Sequence, residues 1–91
     1  MKIKHYKIKF LKNVTEKDLP ALPLTIESRV KKAIDERLTI DPINLGEPLR
    51  YSFKGHRRLR VGDYRILYRV DKIKHTVIIT EIGHRGTIYK R

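Results

Sequence analysis

The alternation of hydrophobic and polar residues in the second half of the chain predicts a β-hairpin. Residues 56–61 and 64–70 place hydrophobic side chains at every second position, which is typical of strands with one buried side. Gly62 and Asp63 lie between the two runs, and a Gly-Asp pair suits a two-residue turn because glycine tolerates a positive φ. The two flanking strands are therefore expected to pair in antiparallel fashion.

The hairpin register divides the side chains between two faces of the ribbon. The face predicted to be buried carries alternating hydrophobic residues, namely Leu59, Val61, Tyr64, Ile66, Tyr68 and Val70. The other face is mainly basic and carries His56, Arg58, Arg60, Arg65, Leu67 and Arg69. Arg60 lies directly opposite Arg65, and like charges opposed across a sheet are destabilising by roughly 0.2–1 kcal/mol. This pair indicates that an anion binds there.

Further strands and helices are predicted around the hairpin. Residues 2–10 alternate lysine with hydrophobic residues and predict a first strand. A short helix is expected over residues 14–19, and hydrophobic residues three and four apart predict a longer helix over residues 24–38. Residues 49–53 alternate and suggest a short edge strand. Residues 75–83 predict an interior strand, because hydrophobic residues occupy both of its faces.

These elements follow one another in the order β-α-α-β-β-β. The order predicts a small single α+β domain over residues 1–91, in which two helices pack on one face of a twisted antiparallel sheet. The hydrophobic face of the hairpin supplies the surface that the helices need. The basic face of the sheet is then left open.

The register of the last strand decides which side chains reach this open face. If residues 71–74 form a four-residue turn, His84 shares the open face with Arg65. One more residue in the turn reverses the parity of the strand and exposes Arg85 instead. Both side chains could reach the site if the strand ends at Gly83, and the sequence leaves these possibilities open.

The composition points to polyanionic partners. The formal net charge is +12, from 22 Lys and Arg against 10 Asp and Glu, so nucleic acid, an acidic protein or a membrane surface are the partners to consider. The absence of cysteine excludes disulfides and thiol chemistry. No segment is apolar for long enough to be a signal peptide or to span a bilayer, so a cytoplasmic protein that needs no membrane is expected.

The runs RLRVGDYRILYRV (residues 58–70) and IGHRGTIY (residues 82–89) resemble the RelE/ParE superfamily of type II toxins, and its RelE branch more closely. The resemblance implies a toxin of a toxin–antitoxin system. Members of the RelE branch cleave messenger RNA in the A site of the ribosome, so the implied partners are the ribosome, messenger RNA and an acidic RelB-like antitoxin. No small-molecule cofactor is implied.

The resemblance also implies roles for individual residues. Arg65 resembles the arginine that contacts the scissile phosphate, and Arg85 resembles a second arginine that binds phosphate. Tyr89 resembles the aromatic residue near the C-terminus that stacks on the RNA or orients it. His56 and Arg58 occupy two positions at which some members carry lysines.

Proton transfer requires a group that titrates near neutral pH. Arg58 can hold a charge but cannot act as a base, because a guanidinium group stays protonated throughout the physiological pH range. His56 or His84 is therefore expected to carry the proton. The sequence has no cluster of Asp and Glu residues of the kind that holds Mg²⁺, so the expected cleavage is independent of metal ions. Four further basic residues are expected to bind RNA or the antitoxin: Lys54, Arg57, Arg60 and Arg69.

Two other functions fit the same sequence. ParE-type relatives share the scaffold and act on DNA gyrase, so a gyrase inhibitor is the first alternative. A basic module that binds nucleic acid without cleaving it is the second, and its affinity should fall steeply with salt.

Overall fold

The computed structural model describes residues 4–90, so residues 2 and 3 of the predicted first strand lie outside the described part. The fold is a small α+β domain, as predicted from the order of the elements. We number the strands in chain order as β1 (Lys7–Phe10), β2 (Glu47–Pro48), β3 (Arg57–Val61), β4 (Tyr64–Asp71) and β5 (Thr76–His84).

The five strands form one mixed sheet in the order β1-β5-β4-β3-β2. Strands β2 to β5 pair in antiparallel fashion, as predicted, whereas β1 pairs in parallel with β5. The prediction of a wholly antiparallel sheet is thus wrong for its first strand. Hydrophobic alternation shows that a segment is a strand, but it does not show which strand lies beside it.

Two helical segments connect β1 to β2. Helix α1 (Val14–Asp18) is a short π-type turn, and the Leu19 N–H donates to the Val14 carbonyl at 2.8 Å. Helix α2 (Leu24–Ala33) continues as a wider π-type turn through Ile34–Leu38, so the helix predicted over residues 24–38 is confirmed. Its residues three and four apart are buried against the sheet: Val30, Ala33, Ile34 and Leu38.

The hairpin of β3 and β4 has the predicted register. Arg60 pairs with Arg65 and Leu59 with Ile66, and the turn residue Gly62 has a φ of +59°. The predicted buried face belongs to the hydrophobic core: Leu59, Val61, Ile66 and Tyr68 are buried, and Tyr64 and Val70 are partly buried.

A close contact between Gly46 and Tyr68 fixes the segment before β2. The Tyr68 hydroxyl donates to the Pro42 carbonyl at 2.6 Å, and burial raises the pKa of this tyrosine. A Cβ atom on Gly46 would lie 1.7 Å from the Tyr68 hydroxyl, so only glycine fits at this position. Arg57 Nη2 donates to the Gly46 carbonyl at 3.1 Å and also to the Ile43 carbonyl. These contacts hold the chain where it enters β2.

The prediction of a short edge strand over residues 49–53 is wrong about the position of that strand. The structure pairs Glu47–Pro48 with β3 instead, and residues Tyr51–Phe53 form a 3₁₀ turn. The Leu49 N–H donates to the His56 carbonyl at 2.9 Å, which closes residues 50–55 into a loop. Gly55, with a φ of +93°, helps the chain to turn back so early.

A β-bulge in β5 decides the register that the sequence left open. Tyr68 pairs with Ile79 but Leu67 pairs with Glu81, so Thr80 is an extra residue in β5. An extra residue reverses the parity of every position beyond it. His84 consequently lies opposite Tyr64, on the helix side of the sheet.

The C-terminal turn (Ile88–Lys90) partly covers the face predicted to be open. Ile88 and Leu67 are both buried outside the main hydrophobic core, and Tyr89 contacts Arg58 on this face. None of the helices within residues 4–90 combines the length and the hydrophobicity needed to cross a bilayer.

Candidate functional site

Two arginines of β3 bind a carboxylate from the neighbouring strand on the open face. The β2–β3 register places Glu47 directly opposite Arg58. Arg58 Nη2 lies 2.6 Å from Glu47 Oε2, and Arg60 Nε lies 3.5 Å from Glu47 Oε1. The hydrogen bond from Arg58 and then the charges of Arg58, Arg60 and Arg65 lower the pKa of Glu47. This carboxylate is therefore ionised at neutral pH.

Glu47 explains how the fold tolerates the opposed pair Arg60 and Arg65. The sequence indicates an anion at this pair, and part of that negative charge comes from within the chain. Sequence reasoning missed this residue. The available signal was its isolation, since Glu47 is the only acidic residue between Asp41 and Asp63.

Tyr89 and Phe53 complete the surroundings of Arg58. Arg58 Nη1 donates to the Tyr89 hydroxyl at 3.0 Å, and this bond is the first cause, before Glu47, of a raised pKa for Arg58. The Phe53 ring makes edge contacts with Tyr89, at 5.9 Å between centroids, and with His56, at 6.4 Å. The structure thus brings the predicted residues His56, Arg58 and Tyr89 together through Phe53, which the sequence did not single out.

His56 lies directly before β3 and has an unusual environment. It is partly buried, and its Nδ1 atom is buried without a hydrogen-bond partner within residues 4–90. Burial lowers the pKa of His56, the charge of Arg69 lowers it further, and a backbone hydrogen bond with Phe53 acts in the opposite direction. The imidazole is therefore neutral at pH 7 and able to accept a proton.

Arg65 folds back over the hairpin turn. Its side chain is mostly buried, and its Nη1 atom donates to the Gly62 carbonyl at 2.8 Å and to the Tyr64 carbonyl at 2.9 Å. Neither bond uses Nη2 or Nε. The side chain lies on the side of the sheet that also carries Arg58.

Arg85 lies at the same hairpin turn as Arg65, whereas His84 lies on the other side of the sheet. The Arg85 N–H donates to the Asp63 carbonyl at 2.8 Å, and Arg85 Nε lies 3.6 Å from Asp63 Oδ1. His84 packs edge-on against Tyr64, with ring centroids 5.4 Å apart. Of the two registers that the sequence left open, the structure has the one that turns His84 to the helix side, because of the bulge at Thr80.

The four residues expected on the RNA or antitoxin surface have different positions. Arg60 and Arg69 are exposed on the open face, and Lys54 is exposed in the loop over residues 50–55. Arg57 lies in register with Tyr68 and bonds to the carbonyls of the segment before β2, so its guanidinium is held away from the open face.

No group of three or more His, Asp or Glu side chains within residues 4–90 lies close enough together to hold a metal ion. The arrangement instead offers several guanidinium groups, a neutral imidazole and a tyrosine hydroxyl on one side of the sheet. Guanidinium groups bind phosphate oxygens in bidentate fashion, so the site is suited to a phosphodiester.

The chain is similar to known proteins over most of its length. Residues 9–89 match the family model described as "ParE toxin of type II toxin-antitoxin system, parDE". Toxin RelG of Mycobacterium tuberculosis is 36% identical over 86 residues, which cover 94% of this chain and 98% of that protein.

Solved structures are similar over nearly the whole chain. The toxin–antitoxin complex RelBE2 of Mycobacterium tuberculosis contains a chain with a TM-score of 0.85 and 34% identity, covering 93% of this chain and 97% of that one. The RelB–RelE antitoxin–toxin complex of Methanococcus jannaschii gives a TM-score of 0.68 at 31% identity, covering 90% and 95% of the two chains.

Proposed function

This chain belongs to the RelE/ParE superfamily, on its RelE-like branch, and is a toxin of a toxin–antitoxin system; we propose that it is an endoribonuclease that cleaves messenger RNA in the A site of the ribosome. The observation that carries the proposal is the contact of Arg58 with Tyr89 beside the neutral imidazole of His56.

The proposed reaction is an attack of the RNA 2′-OH on the adjacent phosphorus. His56 takes the proton of the 2′-OH as the attack begins, because its imidazole is neutral at pH 7. Arg58 and Arg65 neutralise the charge that develops on the phosphate oxygens. The proposed chemistry uses side chains alone.

The departing 5′-oxygen requires a proton. The Tyr89 hydroxyl accepts its hydrogen bond from Arg58, so its own proton is free to be donated to the RNA. In this scheme Tyr89 protonates the leaving 5′-oxygen, and Arg85 binds a neighbouring phosphate beside the hairpin turn. His84 acts only if the RNA reaches the Tyr64 side of the sheet.

Glu47 occupies the position of a phosphate while no RNA is bound. Its carboxylate holds Arg58 and Arg60 by charge-assisted contacts, which keeps both guanidinium groups in place. An incoming phosphate competes with Glu47 for these groups. The exposure of Glu47 makes this exchange easy, because the released carboxylate is hydrated at once.

The pH dependence of cleavage should report the titration of His56. Since burial and Arg69 lower the pKa of this imidazole, the rate constant should rise with pH and reach half of its plateau value below about pH 6.5, the ordinary midpoint of a histidine. Arg69→Gln should move the acidic limb of this pH–rate profile, the range in which the rate constant rises, to higher pH. It does so because it removes the positive charge that disfavours the imidazolium. Single-turnover cleavage over a range of pH measures the limb, and an NMR titration of the His56 ring measures the same pKa independently.

Lys9→Gln is the matched control for charge, because Lys9 is an exposed cation of β1 at the other edge of the sheet. It should leave the acidic limb in place. An acidic limb that persists unchanged in His56→Gln would show that another group accepts the proton.

An acidic antitoxin of the RelB type is the proposed partner in the cell. Two of the similar structures are complexes of a toxin with its antitoxin. The net charge of +12 and the exposed arginines of the open face favour a partner that carries carboxylates over the same surface as the RNA.

A gyrase inhibitor is the second candidate, because the matching family model is described as a ParE toxin. Induction of the chain in cells without antitoxin separates the two. Mapping of RNA 5′ ends should show new ends within translated codons, with chromosomal DNA intact. Double-strand DNA breaks with intact messages would instead support the gyrase inhibitor.

A further inference from the structure

The loop between β2 and β3 holds a tyrosine in an unusual backbone conformation. Tyr51 has a φ of +58°, and 91% of its surface is exposed. Bulky residues rarely adopt a positive φ, because the side chain then crowds the backbone, and such strain concentrates at functional sites. Neither property of Tyr51 is explained by the packing of the domain.

The backbone around Tyr51 is fixed by hydrogen bonds. The Leu49 N–H donates to the His56 carbonyl at 2.9 Å, the Phe53 N–H to the Arg50 carbonyl at 3.2 Å, and the Lys54 N–H to the Tyr51 carbonyl at 3.0 Å. The loop therefore presents the Tyr51 ring to solvent in one defined place, directly before His56 and strand β3.

The two aromatic residues of this loop have opposite environments. Phe53 packs edge-on against His56 and Tyr89 and so ties the loop to the site. Tyr51 makes no ring contact within residues 4–90. Its neighbours Arg50 and Lys54 are exposed and form no ion pair within the same range. An unpacked ring between two free cations thus lies next to the proposed cleavage site.

We propose that Tyr51 stacks on a nucleobase of the bound RNA beside the cleaved phosphate, while Arg50 and Lys54 bind the backbone phosphates on either side of that base. The combination of a free ring and flanking cations is the pattern by which proteins bind single-stranded nucleic acid. A single ring between charges offers too little apolar area for a protein helix to dock. The inference rests on the proposed function for the identity of the ligand as RNA.

The test measures binding and does not depend on cleavage. The ligand is a short single-stranded RNA whose 2′-hydroxyls are methylated, so that it cannot be cut, with a matched RNA that lacks one base. The variants are Tyr51→Ala, Tyr51→Phe and Tyr51→Gly. Ile73→Ala is the control, because Ile73 is 98% exposed in the turn between β4 and β5.

We expect Tyr51→Ala to weaken binding of the complete RNA by about tenfold, the typical loss of one stacked base. Tyr51→Phe and Ile73→Ala should bind like the wild type. The difference between wild type and Tyr51→Ala should disappear when the stacked base is absent. Tyr51→Gly should melt at the same or a higher temperature than the wild type and yet bind like Tyr51→Ala, because glycine accepts the positive φ.

Equal affinities of the wild type and Tyr51→Ala for the complete RNA would overturn the inference. So would an equal loss on the RNA without the base, or a loss of antitoxin binding with RNA binding intact. If base-dependent binding is found and the wild type cleaves no RNA on ribosomes, the proposed nuclease fails while the role of Tyr51 stands. On translating ribosomes, Tyr51→Ala should raise KM more than it lowers kcat, since stacking is present before the reaction and during it.

Discussion

Replacing Arg58 with alanine is expected to slow RNA cleavage by about 100-fold or more, which is the usual loss when one preorganised donor to a developing negative charge is removed. Arg58 is the residue that joins Glu47 on one side to Tyr89 on the other. Its loss removes a phosphate ligand and releases both neighbours. The measurement is the single-turnover rate constant for cleavage of a message on ribosomes.

Arg58→Lys and Lys9→Ala separate charge from geometry in this experiment. Lysine keeps the positive charge but loses the planar pair of donors, so Arg58→Lys should recover only part of the activity. Lys9→Ala removes an exposed cation from β1 and should cleave like the wild type. Wild-type rates in a folded Arg58→Ala protein would remove Arg58 from the proposed chemistry.

Replacing Gly46 with alanine should destabilise the fold by about 1–3 kcal/mol, the range for an atom forced into a packed interior. The new Cβ would lie 1.7 Å from the Tyr68 hydroxyl, which is bonded to the Pro42 carbonyl. Either the tyrosine gives up that bond or the segment before β2 moves. Urea unfolding of the two proteins measures the change in free energy of unfolding.

Gly86→Ala is the control for the loss of a glycine. A Cβ on Gly86 would come no closer than 3.3 Å to an atom of the flexible His84 side chain, so its effect on stability should be small. A Gly46→Ala protein as stable as the wild type would show that the contact with Tyr68 adjusts freely.

The hairpin could be predicted to the level of residue pairs from the sequence. Its two strands alternate without interruption, and the Gly62 turn has only two residues, so each side chain has one possible partner. The helix over residues 24–38 could be predicted equally well, because its hydrophobic residues keep helical spacing along its length. Both elements are defined by periodic patterns that need no information from distant parts of the chain.

The direction of His84 could not be predicted, because it depends on one extra residue. The bulge at Thr80 interrupts a run of hydrophobic residues that occupy both faces of β5, so the run looks the same with or without the bulge. The parallel pairing of β1 with β5 could not be predicted either, because the pattern within a strand does not show which strand lies beside it. Both features are decided by which strands become neighbours in the folded chain.

The sequence predicted only part of the candidate site. The positions of His56, Arg58 and Tyr89 follow from the resemblance to the toxin superfamily, and the structure brings them together. Glu47 was missed, because its contact with Arg58 depends on the pairing of a two-residue strand. The position of that strand follows from the contact between Gly46 and Tyr68, which lie far apart in the sequence.

The most direct test of the proposed function is primer extension on a defined message after incubation with translating ribosomes and the purified chain. The structure leads us to expect new RNA 5′ ends in the codon at the A site with the wild type, none without ribosomes, and few with Arg58→Ala. An intact message in the presence of the folded wild type and ribosomes would contradict the proposal that this toxin is an endoribonuclease.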